Sequence, residues 1–99
     1  MTSLTALRLL LQGYLNYDWP DEYDDPRMAV DDFARSEPAL ARVLSDDVEH
    51  VIANANGESQ LRRVVVDELG SGYLPEADDW TYLQWLKEVV RRVEDRLKG

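Results

Sequence analysis

The side chains best equipped for chemistry are crowded into one window. Between Asp18 and Asp32 stand seven carboxylates (Asp18, Asp21, Glu22, Asp24, Asp25, Asp31, Asp32) and a single base, Arg27, so this stretch carries -6 of the chain's formal -9. Acids at that density can bind calcium, transfer protons or attract a basic partner. An EF-hand loop needs glycine at its sixth position and a bidentate carboxylate at its twelfth. Counted from Asp18 those places hold Tyr23 and Ala29, and counted from Asp21 they hold Pro26 and Asp32, so the glycine is missing in both registers. General acid and base work needs two carboxyl groups whose surroundings push their pKa values apart, usually in a cleft. No glycine-rich phosphate cradle, nucleophile elbow or catalytic histidine accompanies these acids. The one imidazole, His50, has no cysteine and no second histidine with which to share a metal. The residues therefore predict no enzyme, no metal site and no cofactor.

Attraction of a basic partner remains. Tyr14, Tyr17, Trp19 and Tyr23 are interleaved with the acids, and a second stretch brings Tyr73, Glu76, Asp78, Asp79 and Trp80. Tyrosine and tryptophan are enriched among the residues that dominate interface energies, while carboxylates steer a cationic protein and speed its association. The candidate protein-binding face is Tyr17, Asp18, Trp19, Asp21, Glu22, Tyr23, Asp24 and Asp25, with Asp78, Asp79 and Trp80 as a weaker second patch. Against this stands the reading in which the rings fold inward and the acids only solvate the loops. For Tyr14, Trp19 and Trp85, taken singly, inward packing is the preferred reading.

The elements that must present these residues are helices. Leu4, Leu7, Leu11, Tyr14 and Leu15 fall on one stripe, giving a helix over 4–16 with Ser3 as its N-cap. Asp18 to Asp25 then reads as a loop, because Pro20 disfavours helix at Trp19 and the carboxylates repel one another. Asp25-Pro26 is an N-cap followed by proline at the first helical position. The helix it opens runs to about Ser36, burying Ala29, Val30, Phe33 and Met28 and leaving Asp31, Asp32 and Arg35 toward water. From Pro38 to Ala55 the apolar positions recur at steps of three and four until Asn56-Gly57 supplies a left-handed stop, which makes this the central helix. A fourth helix, Ser59 to Leu69, ends at Gly70. After the second loop, Thr81 and Gln84 form a capping box for a last helix over Tyr82 to Leu97, with Glu88 to Arg92 and Glu94 to Lys98 at ion-pair spacing. The fold class is an all-α bundle of about five helices, one domain spanning 1–99.

Composition sets the outer limits. A chain of 99 residues that is 44% hydrophobic, with 3 Trp and 5 Tyr, has enough large apolar surface to fold as one core. Without cysteine it has no disulfide and no thiolate. Its negative field repels phosphate backbones and anionic lipid, so neither direct nucleic-acid binding nor membrane binding is expected. The start, Met1-Thr2-Ser3-Leu4, lacks the basic region of a secretory signal, and no stretch approaches the ~20 apolar residues of a membrane span. The location expected is cytoplasmic.

One set of motifs is more specific. Tyr14-Leu15-Asn16-Tyr17-Asp18-Trp19-Pro20-Asp21-Glu22-Tyr23, then Ala29-Val30 with Phe33, then Leu69-Gly70 with Tyr73 and Pro75, then Asp79-Trp80-Thr81-Tyr82 with Trp85-Leu86, in that order and spacing, resembles the small helical immunity proteins of bacterial contact-dependent growth inhibition systems. The resemblance covers nearly the whole chain. It implies an antitoxin that binds a delivered toxin domain in fixed stoichiometry, in the branch paired with nuclease toxins, including ribonuclease A-like ones. A nuclease must be basic to hold its substrate, which suits the charge of this chain. The protein is expected to act as a monomer. A rival reading is a homodimeric helical adaptor that pairs through the ridge of its last helix and has no toxin partner.

Overall fold

In the computed structural model, which describes residues 4–98, every regular element among the described residues is helical, as the periodicity predicts. The first, α1 (Thr5–Leu9), runs directly into a π turn over Leu10–Tyr14, where the Leu15 N–H reaches the Leu10 carbonyl at 3.0 Å. Through this wider turn Leu7, Leu10, Leu11 and Leu15 all enter the core. Ser3, the expected cap, lies outside the described residues.

The acidic connection is not a plain loop. It contains α2 (Trp19–Glu22), a single turn in which Trp19 is helical despite the proline that follows it. The cost of that conformation is offset by tertiary contact, because the Trp19 ring packs edge-on against Tyr73. Next, α3 (Pro26–Ser36) begins as its sequence predicts, with the Asp25 carboxylate accepting the Arg27 N–H at 2.7 Å. Ala29, Val30 and Phe33 are buried on it, but Met28 is exposed.

The expected long helix over residues 38–55 is two helices, α4 (Pro38–Ala41) and α5 (Leu44–Asn54), separated by a turn at Arg42 and Val43. Ala41, Leu44, Val48 and Val51 are buried and still step by three and four, so periodicity alone cannot reveal the break. Val43, counted on the apolar stripe, points to solvent. Nor does Gly57 stop α5: the chain leaves extended at Ala55, and Gly57, at φ 109°, opens α6 (Glu58–Arg62) instead. That helix continues as a π turn over Arg63–Glu68. Gly70 closes it at φ 74°, with the Gly70 and Ser71 amides donating to the Val66 and Val65 carbonyls. A 3-10 turn, Pro75–Asp78, interrupts the second loop, and α7 (Tyr82–Lys98) completes the chain.

The axis of the molecule is α7, not residues 38–55: α7 packs against α3, α4, α5 and α6. Its first amides are fully engaged. The Thr81 hydroxyl accepts the Gln84 N–H and the Gln84 side chain accepts the Thr81 N–H, both at 3.0 Å. Glu58, from α6, accepts the Tyr82 and Leu83 amides at 2.7 and 3.0 Å. Asp47 does the same for α1, its buried carboxylate accepting the Leu7 N–H at 3.1 Å. Each acid satisfies helix amides that have no partner of their own and opposes the positive end of the helix dipole. Of the apolar ridge Tyr82, Leu86, Val89, Val90, Val93 and Leu97, Val90 is half-buried, Leu97 is exposed and the others are buried in the core together with Trp85. No helix among the described residues is long and apolar enough to cross a membrane.

The ion pairs differ from those expected. Glu88 pairs with Arg91 at 2.7 Å, and Arg92 instead crosses to α3, where Asp31 accepts two hydrogen bonds from it at 2.6 and 3.1 Å and one from Arg96 at 3.0 Å. Asp31 is therefore half-buried rather than turned to water. Asp32 likewise accepts from the Tyr23 hydroxyl at 2.6 Å and pairs with Arg35. Burial would raise the Asp31 pKa, but the hydrogen bonds from Arg92 and Arg96 outweigh it and hold the carboxyl below its ordinary 3.8. With its folded-state pKa depressed, Asp31 contributes stability that is complete above 3.8 and drains away as the pH falls through the lower folded value. Asp31→Asn is expected to cost about 2 kcal/mol at neutral pH in urea unfolding, less than for a fully buried pair because Arg92 stays partly solvated. The gap from wild type should narrow in acid; a gap independent of pH would contradict the assignment.

One close approach positions the two loops. The Gly72 N–H donates to the Leu15 carbonyl at 2.6 Å, where the chain turns out of the first helix. A Cβ on Gly72 would lie 2.2 Å from the Asn16 carbonyl carbon and 2.3 Å from the Tyr17 nitrogen, so two backbones touch with no room for a side chain. Ser71, buried beside it, closes the turn by donating its hydroxyl to the Tyr73 carbonyl at 2.8 Å. Gly72→Ala is expected to cost about 3 kcal/mol, because backbone cannot yield as a side chain can. Thermal unfolding followed by circular dichroism should show the midpoint falling by roughly 15 °C; a fall of under about 3 °C would mean that the loops are not held this way.

Candidate functional site

Docking of the second loop on the first creates a ring-to-ring chain. Trp19 meets Tyr73 edge-on at 5.5 Å between centroids, Tyr73 lies 4.9 Å from Trp85, and Trp85 lies 5.9 Å from Trp80. Such pairs contribute about 0.5–1.5 kcal/mol each beyond the area they bury. Tyr73 and Trp85 are buried, whereas Trp19 and Trp80 are half-buried. Around them opens a cleft of about 380 Å³ lined by Trp19, Asp24, Asp25, Pro26, Arg27, Asp78, Trp80 and Trp85. Trp19, Asp24 and Asp25 of the first connection and Asp78 and Trp80 of the second thus line one concavity.

Several acids of the proposed face hold it in shape. Asp25 caps α3 and grips the Arg27 guanidinium at 2.9 and 3.1 Å. The hydrogen bond from Arg27 depresses the Asp25 pKa. Asp78 accepts the Tyr73 hydroxyl at 2.7 Å, and burial together with that carboxylate pushes the Tyr73 phenol up, so it stays protonated as a donor. Asp79 sits in the left-handed region at φ 64°, ending the 3-10 turn with its carboxylate exposed.

The remaining residues divide. Glu22 and Tyr23 face away from the cleft, into a wider groove of about 910 Å³ that they share with Met28, Asp31, Asp32 and Arg96 among others. Burial and the Asp32 carboxylate raise the Tyr23 phenol pKa. Tyr17 is 85% exposed at the turn against which Gly72 packs, and lines neither concavity. Asp18 and Asp21 are exposed on and beside α2. Among the described residues Asp18, Asp21, Glu22, Asp24 and Asp79 are exposed and form no ion pair. Trp19 and Tyr23 offer less free surface than the sequence reading required, because each has turned one side inward.

Three lining residues, Pro26, Arg27 and Trp85, were not candidates in the sequence reading. Arg27 carried one signal, being the sole base in the acidic window, whereas Trp85 looked like plain core. Among the described residues no group of three or more His, Asp or Glu side chains is placed to hold a metal ion. The arrangement is suited to receiving a protein surface: rigid rings, a concave shape and excess negative charge at the rim.

Comparison with known families agrees with the motifs. The family model described as CdiI immunity protein matches residues 3–93, taking in both loops, all the rings of the cleft and most of α7. No curated protein and no solved structure matches the chain. The chain belongs to the CdiI immunity protein family, whose members protect against toxins of contact-dependent growth inhibition.

Proposed function

We propose that the protein neutralises its toxin by stoichiometric binding, through a face made of Tyr17, Asp18, Trp19, Asp21, Glu22, Tyr23, Asp24 and Asp25 from the first connection and Asp78, Asp79 and Trp80 from the second. The toxin is a basic nuclease, of the ribonuclease A-like kind, met in the cytoplasm of the cell under protection. The supporting observation is that Asp24, unpaired among the described residues, lines a cleft of aromatic rings, while Asp18, Asp21, Glu22 and Asp79, likewise without a basic partner there, are exposed on the same two connections. Unpaired exposed carboxylates repel one another and contribute nothing to the fold, while facing a cationic protein they accelerate encounter. The rings supply contact area that is already ordered, so little conformational entropy remains to be lost on binding.

Charge reversal tests this reading. Asp21, Glu22 and Asp24 changed together to Lys should slow association with the cognate toxin domain about tenfold or more at low salt, and flatten the dependence of the rate on ionic strength. Stopped-flow or surface-based kinetics at two or more salt concentrations measures both. Association with the same rate and the same salt response as wild type would remove the electrostatic basis of the proposal.

A further inference from the structure

All 3 tryptophans of the chain line one cleft, and their neighbours there have opposed electrical demands. Of the charged residues in the lining, Asp25 and Arg27 satisfy each other through two side-chain hydrogen bonds. Asp78 uses one carboxylate oxygen for the Tyr73 hydroxyl. Asp24 is exposed and makes no hydrogen bond or ion pair among the described residues. A second imbalance lies in the lining itself: Trp85 is 1% exposed, and its buried indole N–H has no acceptor. A buried donor without a partner carries a desolvation cost, which an incoming oxygen would relieve.

We infer that this cleft is a socket for one arginine side chain of the partner, with the guanidinium lying between the Trp19 and Trp80 rings and the Asp24 and Asp78 carboxylates. The inference rests on the toxin-binding reading above and names the chemistry of its anchor. Arginine fits better than lysine because its guanidinium is flat, weakly hydrated and able to stack on a ring while donating in plane to a carboxylate. Lysine offers a compact, strongly hydrated charge that gains less from an indole wall. A main-chain carbonyl flanking the inserted arginine gives the Trp85 N–H an acceptor. Anchors of this sort, fully desolvated at the centre of an interface, are where binding energy concentrates.

The tryptophans report on the cleft directly, so the test needs no toxin. A capped Gly-Arg-Gly peptide, titrated into the intact protein to millimolar concentration, should change the tryptophan fluorescence saturably. The same peptide with citrulline, which keeps the shape and loses the charge, should bind about tenfold more weakly, and the lysine peptide should fall between them. Asp24→Asn should weaken the arginine response several-fold, whereas Asp46→Asn, on the exposed side of α5, should leave it unchanged. Equal responses to arginine and citrulline, equal responses to arginine and lysine, or no saturable response would each overturn the socket. If those failures occur while charge reversal still slows the toxin, the binding face stands without this anchor. If no basic toxin domain associates at all, the broader reading fails whatever the peptides do.

Discussion

The contact between Gly72 and the backbone of Asn16 and Tyr17 is the constraint on which the candidate site depends. Two connections more than fifty residues apart in sequence meet there without a side chain between them, joined by the hydrogen bond from Gly72 to Leu15. Because the second loop is pinned at that point, Tyr73 enters the core one residue later and places its ring between Trp19 and Trp85. Trp80 then closes the row from the far end of the same loop. Remove the close approach and the rings have no common axis, so the acidic residues on either side no longer share a cleft.

Acidity in this molecule has two distinct jobs. Asp47 and Glu58 reach across the fold to cap α1 and α7, Asp31 draws two arginines of α7 onto α3, and Asp25 caps α3 while gripping Arg27. These carboxylates oppose a local positive charge or dipole, and they stabilise the fold. The others around the first connection have no such partner, and their mutual repulsion costs stability. The proposed function would give that cost a purpose, since a rim of unpaired negative charge speeds capture of a basic protein.

Some local rules read correctly in the sequence, although the Gly57 stop and the Glu88 to Arg92 pair, equally local, did not. The Thr81 and Gln84 box, the Asp25-Pro26 start and the Gly70 stop each involve residues within a few positions of one another, and each is present. Caps supplied from a distance could not be read: Asp47 lies forty residues from Leu7, and Glu58 twenty-four from Tyr82. The break at Arg42 and Val43 was hidden because the buried residues keep their helical steps across it. For the site, the acids and rings stood out by composition, but their sorting into two grooves did not. Neighbours as close as Tyr23 and Asp24 face different concavities, a consequence of where α2 ends and the extended residues before α3 begin.

The central claim, that residues 18–25 and 73–80 act as one docking surface, is tested most directly by amide hydrogen exchange in the complex with the cognate toxin domain. Protection gained together in both segments, with little change over residues 44–68 on α5 and α6, is the expected result. Protection confined to residues 44–68, with both connections exchanging as in the free protein, would contradict it.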